Sequence, residues 1–312
     1  TMYRTGLGGY VAITGMYIGI SVLYWMLFAA RTWKLGRAFG HMTPAETFAH
    51  FYGKKWVGYV LAALLIATLI PYIQAQIMGI SYLLKVATGD RVSFQFGTTL
   101  VYTLMIFYVF MGGLRAVAWT DTMQGLLLLG GVVVGAVLVS SAAAGGPVET
   151  FTKVLKSQPE LLTLPGPGTA WPWAYLLSWV IPVGLGWPMQ PQMWLKMHIP
   201  RSVTYIRLWP VWVTISFPLV MGAAFLTGMT GQVVMPGLVE REATDTVMIT
   251  MLLEYFPPVV GGLVAAAGLA AMMSTVSSQI HSVGASFARD FLAQWFPDQA
   301  AHKQVWLARV AV

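Results

Sequence analysis

The chain has 312 residues, of which 57% are hydrophobic and only 9% charged. A soluble domain carries about 25% charged residues, so that class is excluded and a membrane protein remains. Lys and Arg exceed Asp and Glu by a net +7. These basic residues fall in short loops between apolar runs, so they speak to membrane orientation rather than to nucleic acid. With no cysteine, disulfide frameworks and thiolate metal sites are excluded as well.

The sequence reads as an all-α, polytopic chain with about seven membrane-length segments. The first covers Leu7–Ala30 and the second Val57–Val86. Between them, Thr43-Pro44-Ala45-Glu46 supplies an N-cap, a first-turn proline and a capping-box glutamate, which predicts a short interfacial helix. The third segment runs Phe96–Met111 and the fourth Thr122–Ser141. Asp121 and Gln124 have the spacing of a capping box at the start of that fourth helix. Glu149–Leu162 is an amphipathic patch closed by the breaker at 164–168. The fifth segment, Trp173–Met189, is interrupted by Pro182, Gly184, Gly186 and Pro188, with Pro191 beyond. It reads as a broken helix of the kind that exposes backbone groups at the bilayer midplane, or else as a short span ending at Gly186-Trp187-Pro188. Ile206–Thr230 is the sixth segment, and Thr244–Phe256 reads as a loop helix ending at Pro257-Pro258.

The last segment, Pro258–Phe287, is the most informative. Its middle carries Ser274, Thr275, Ser277 and Ser278, where hydrocarbon offers hydroxyls no water. Ala271, Ser274 and Thr275 stand at i, i+3 and i+4, on one helix face. A carbonyl and two hydroxyls form a small set of hard oxygens suited to an alkali cation such as Na⁺. The alternative is that the hydroxyls bond back to their own helix and the small residues only permit close packing.

Loops 31–55, 112–118, 190–207 and the tail after 287 hold twelve of the eighteen basic residues. With an odd number of spans this puts the N-terminus outside and the C-terminus in the cytoplasm. The acidic stretch Glu240, Glu242, Asp245 and Glu254 then faces out. The chain opens on Thr1 without a charged leader and ends as a new apolar run, QVWLARVAV, begins. It is therefore expected to be an internal piece of a larger transporter, with residues 1–312 forming one partial transmembrane domain. His41, His50, His198, His281 and His302 lack metal-ligand spacing. No P-loop or nucleophile elbow is present, so enzyme chemistry and ATP drive are not expected.

Two motifs add a family. Gly112 to Gln124 (GGLRAVAWTDTMQ) resembles a signature of the sodium/solute symporter family, and Ala270 to Ser278 (AAMMSTVSS) resembles that family's sodium helix. Tyr3-Arg4-Thr5-Gly6, Thr43 to Glu46 and Gln192 to Arg201 fall in the matching order. The resemblance implies a leucine-transporter-type inverted-repeat bundle, truncated at both ends, whose seven segments are core helices two to eight. It implies a sodium site built from Ala271, Ser274 and Thr275 together with carbonyls of an absent first core helix, so that this chain alone is expected to carry no flux. It further implies Asp121 as a way-station for Na⁺ on its exit, Trp187 as an aromatic gate in the helix break, and no cofactor beyond Na⁺ as coupling ion. Gln190 and Gln192 are expected beyond the cavity.

Tyr72 and Gln76, one turn apart after Pro71, put polar groups inside the second segment and are candidates to line the solute cavity, or to bond to neighbouring helices. The first segment has Ile13 and Met16 where sugar-carrying relatives have polar residues, which points to an organic acid, a pantothenate-like acid or an amino acid as solute. The expected partners are thus Na⁺, a small organic solute and the lipid bilayer of the plasma membrane, with no nucleic acid. The function expected is sodium-coupled symport by alternating access. A transporter-like sensory module of a histidine kinase is the rival, and a channel lacks any ring-forming repeat in its favour.

Overall fold

The computed structural model describes residues 2–167, 172–238 and 240–295, which form helices and connecting turns with no strand among them. The first element, α1, covers residues 2–39 as Met2–Gly15, wide π turns over Met16–Ser21 and Trp25–Ala29, and a closing piece Ala30–Phe39. Gly6 bends it near the start with φ 56°, a conformation a side chain resists. The short helix α2, Pro44–Tyr52, begins with the capping box read from the sequence: the Thr43 hydroxyl accepts from the Glu46 amide and Glu46 accepts from the Thr43 amide.

Three long apolar helices follow. They are α3 (Lys55–Ala87), α4 (Phe94–Gly113) and α5 (Ala116–Ala144). Gly113, with φ 59° and ψ −159°, turns the chain from α4 into α5. The fourth segment was expected to start at Thr122; it starts six residues earlier, because this glycine lets the new helix begin just after the bend. The amphipathic α6 (Pro147–Ser157) leads through a single 3₁₀ turn, Pro159–Leu162, to the proline-rich loop.

The fifth segment is broken. Helix α7 (Trp173–Gly186) runs through Pro182 and gives way to a 3₁₀ turn at Trp187–Met189; Gln190 is extended, and α8 (Pro191–His198) begins anew. Then come α9 (Val203–Val234), the loop helix α10 (Arg241–Tyr255) and α11 (Pro258–Ser286), which continues as a π segment, Phe287–Leu292. Five stretches are long and apolar enough to cross a membrane: α3, α4, α5, α9 and α11 with its continuation. The first and fifth expected segments fall short of that test because π turns divide one, and the helix of the other ends at Gly186 after 14 residues, where the short-span reading put its end. The C-terminal apolar run, the end of the proline-rich breaker at Gly168 and the Met16 side chain lie outside what the structure describes.

The core lies where α11 meets α3, α4 and α5. Ile80, Val101, Met105, Val109, Val117, Val276 and Ile280 pack there. Close approach of α5 and α11 depends on small residues: a Cβ at Gly131 would stand 2.4 Å from that of Ala267. Elsewhere the long helices turn large apolar side chains outward, such as Phe107, Leu126, Trp212 and Ile215. That surface is what a bilayer solvates, and it would be unsustainable in water.

Tertiary hydrogen bonds pin the breaks. Tyr3 donates its hydroxyl to the Met235 carbonyl and accepts from the Leu238 amide, while Gln232 donates to the Tyr3 carbonyl. Ser21, buried at a π turn of α1, donates to the Gly184 carbonyl of α7 at 3.1 Å. The lower part of α2 is clamped to the continuation of α11. Thr43 donates to Asp290 at 2.5 Å, and Arg289 meets Glu46 at 2.8 Å and the Gly40 carbonyl at 2.8 Å.

Candidate functional site

The hydroxyl row of α11 makes two oxygen clusters. In the first, Ser274 donates to the Ala271 carbonyl at 2.8 Å and Thr275 donates to the same oxygen at 3.3 Å. All three expected residues therefore share one spot, and each is half-buried. Such back-bonding satisfies the hydroxyls without a cation. It also holds three oxygens within reach of one ion, because each hydroxyl needs only to rotate to turn its lone pair outward. Ala267, Ala271, Ser274 and Ser278 recur at +4, +3 and +4, the rows of one helix face. Ala267 lies against Gly131 of α5 and Ser278 against Asp121 of α5, so the cluster between them sits on the face that meets α5.

The second cluster lies one turn, about 5 Å, along the same helix. Ser278 donates to Asp121 Oδ2 at 2.7 Å, and the one hydroxyl proton of Ser277 is shared between the Ser274 carbonyl at 3.2 Å and Oδ1 at 3.4 Å. Lys196 of α8 brings its Nζ to 3.0 Å from Oδ2. Tyr108 of α4 stands beside both Ser277 and Gln124 of α5. The Tyr108 hydroxyl and Gln124 Oε1 are both buried. Asp121 was expected to cap a helix. It sits instead inside α5, past its first turn, with its carboxylate engaged by α11 and α8. Sequence reading singled out Asp121 and both serines but had no means of joining them, and it passed over Lys196 and Tyr108. A polar residue in a membrane-length run was the available signal for Tyr108.

The second cluster opens into a vestibule of about 340 Å³ lined by Asp121, Gln192, Lys196, Trp209, Ser278 and His281, among others. Gln192, expected beyond the solute cavity, is buried on the wall of this vestibule and donates to Gln190 at 2.5 Å. At the end of α8, His198 packs against Gly36 of α1. Burial pushes its imidazole down to about 4, against the opposite pull of the Glu46 carboxylate.

Trp187 occupies the first position of the helix break, and its ring lies 6.3 Å from that of Trp209, which stacks on Trp25 at 3.9 Å. Tyr72 presents its hydroxyl to the Trp187 side chain. Two of the three cavity candidates thus meet across α3 and the break. Gln76 lies a turn further along α3, followed by Gly79, which sits against Met272 beside the first cluster. A larger cavity of about 760 Å³ between α3, α10 and α11 is lined from α3 by Pro71, Gln74, Ala75, Met78 and Gly79. Tyr72 and Gln76 are not on its wall. No group of three or more His, Cys, Asp or Glu suited to a metal ion occurs among the described residues.

The family model described as "Sodium:solute symporter family" matches residues 1–312. The chain belongs to this family. Among curated relatives, it is 26% identical to the sodium/pantothenate symporter of Haemophilus influenzae over 306 residues, covering 97% of this chain and 61% of that one. It is 28% identical to sodium/proline symporter 2 of Staphylococcus saprophyticus over 305 residues, covering 93% of this chain and 56% of that one. The chain therefore spans little more than half the length of these relatives. A solved structure of a substrate-bound, outward-open Na⁺-coupled sialic acid symporter superposes with a TM-score of 0.68 at 18% identity, over 97% of this chain and 70% of that one. That likeness gives the chain the helical fold of a multi-pass symporter, in line with its five apolar spans.

Proposed function

We propose that this chain is the central part of a sodium-coupled secondary symporter, with residues 1–312 forming one transporter domain. The observation that carries the reading is the row of converging oxygens in the middle of α11: a carbonyl and two hydroxyls at Ala271, Ser274 and Thr275, then a carboxylate with two hydroxyls a turn away. Both lie along a membrane-length helix, and the second also meets Lys196 of α8, the helix that follows the break at 187–190. Na⁺ binds at the first cluster, completed by oxygens from parts of the protein beyond this chain, and leaves by way of Asp121. Trp187 and Tyr72 gate the solute cavity, with Gln76 on the same helix.

Binding of Na⁺ favours one of two conformations and so raises the affinity for solute. Moving one charge inward through ~100 mV supplies about 2.3 kcal/mol, which sustains roughly fifty-fold accumulation. Pantothenate, proline and sialic acid, named for the relatives and the structural neighbour, all carry a carboxylate. With Ile13 an apolar residue on α1, this supports a small organic acid or an amino acid as solute here. The distribution of basic residues supports a plasma-membrane orientation with the N-terminus outside and the vestibule end of α11 in the cytoplasm. The test is uptake by the complete protein, with and without Na⁺, over a panel of short carboxylates and amino acids. Sodium-dependent, saturable uptake of one member is expected; uptake indifferent to Na⁺ for every member overturns the reading.

A further inference from the structure

We propose that Lys196 is a tethered counter-ion that competes with Na⁺ for the Asp121 carboxylate and drives the ion's release into the vestibule. The proposal rests on the symport reading above and adds a residue that reading does not use.

The geometry is that of an exchange site. Asp121 Oδ2 already accepts from Ser278 at 2.7 Å and has the ammonium of Lys196 at 3.0 Å, while Oδ1 faces Ser277 at 3.4 Å. A carboxylate so placed neutralises one monovalent cation; a second brought to the same oxygens is repelled by the first. Na⁺ arriving from the cluster a turn away must therefore displace the ammonium, and the returning ammonium must displace Na⁺. Both cations have room to move, because the Lys196 side chain is 37% exposed and opens on the vestibule, while Asp121 is 16% exposed.

The two partners also ride on different parts of the fold. Asp121, Ser277 and Ser278 belong to long spans, whereas Lys196 belongs to the eight-residue α8, which packs on α11 and on the end of α1 and is joined to α7 through the turn at Trp187–Met189 and the extended Gln190. The distance from ammonium to carboxylate therefore follows the position of α8. When α8 is seated as here, the carboxylate is discharged by the lysine and has little hold on Na⁺. When α8 swings away, the carboxylate is free to receive the ion. Without the lysine, Asp121 would remain a bare negative charge on the exit path and would retain the cation.

The experiment uses the complete transporter in proteoliposomes and reads radioactive sodium binding at equilibrium alongside turnover. In Lys196→Gln, sodium is expected to bind on the order of fivefold more tightly, the rise set by loss of a partly exposed ion pair. Turnover falls and inhibition by sodium on the vestibule side increases. Lys196→Arg keeps the wild-type values. These 312 residues contain no cysteine, so Lys196→Cys, with any cysteine elsewhere in the complete transporter changed to serine, offers a chemical test. Modification with aminoethyl methanethiosulfonate rebuilds a tethered ammonium and restores release, while the sulfonate-bearing analogue does not. In an Asp121→Asn background, changing Lys196 no longer alters sodium binding. If Lys196→Gln leaves both sodium binding and turnover unchanged, or if its effect persists in Asp121→Asn, the counter-ion role is wrong while symport stands. If the unaltered protein neither binds sodium nor depends on it, the symport reading fails and this inference falls with it.

Discussion

The two oxygen clusters of α11 are one turn apart and share serine-rich chemistry, yet they are electrostatic opposites. Ala271, Ser274 and Thr275 offer only neutral oxygens, and the two hydroxyls satisfy themselves on one carbonyl. Ser277 and Ser278 turn toward a carboxylate that is matched by an ammonium. A neutral set recognises a desolvated cation through the number and placement of its oxygens, and it holds little when those are incomplete. A charged set attracts any cation strongly and must be discharged to let it go. On the symport reading proposed above, the contrast gives selectivity to the first cluster and passage to the second.

The sharpest way to break this contrast is to remove the first cluster's side-chain oxygens. Ser274→Ala with Thr275→Ala is expected to raise the sodium concentration for half-maximal uptake by about a hundredfold, taking ~1.5 kcal/mol for each lost contact to a charge. Unchanged sodium dependence would remove the first cluster from the ion path. Next is the packing that brings α5 to α11. Gly131→Leu pushes its side chain into Ala267, a case of overpacking that costs about 2 kcal/mol. A lower melting temperature in detergent, with sodium affinity weakened alongside, is expected; a variant that melts and binds like the parent would show that the close approach is not needed.

Asp121→Asn probes the second cluster alone. Turnover should fall about tenfold, the order of one charged contact, with little change in the half-maximal sodium concentration. A large change in that concentration instead would move ion selection to Asp121. The smallest effect concerns α8. His198, held at about 4 in the fold by burial, takes up protons more readily when unfolded, where its value is about 6.5. Its neutral form thus contributes stability above pH 6.5 that is lost as pH falls toward 4. The drop in melting temperature between about pH 7 and pH 5 should shrink in His198→Gln; an identical drop would show that other groups set the acid sensitivity.

Local rules made part of this legible from sequence. The box of Thr43 and Glu46 depends on neighbours three residues apart, and the structure closes it as written. The grouping of Ala271, Ser274 and Thr275 follows from helical spacing alone. Asp121 shows where such rules fail. Its spacing to Gln124 imitates a cap, but Gly113 starts the helix earlier, and the residues that claim the carboxylate lie 75 to 157 positions away along the chain. Hydrophobic length suggested an unbroken first segment, and nothing in a run of apolar residues announces a π turn anchored by Ser21 on Gly184.

The clamp between α2 and the end of α11 gives this fold a mechanical link to its surroundings. Thr43 is fastened to Asp290 and Glu46 to Arg289, so movement of the short amphipathic helix is coupled to movement of α11's end. Its outer edge presents Phe51 and Tyr52, and Trp56 follows at the start of α3, all strongly exposed. A lateral force on that aromatic rim is thus carried through the clamp to α11, so that bilayer composition bears on the position of that helix.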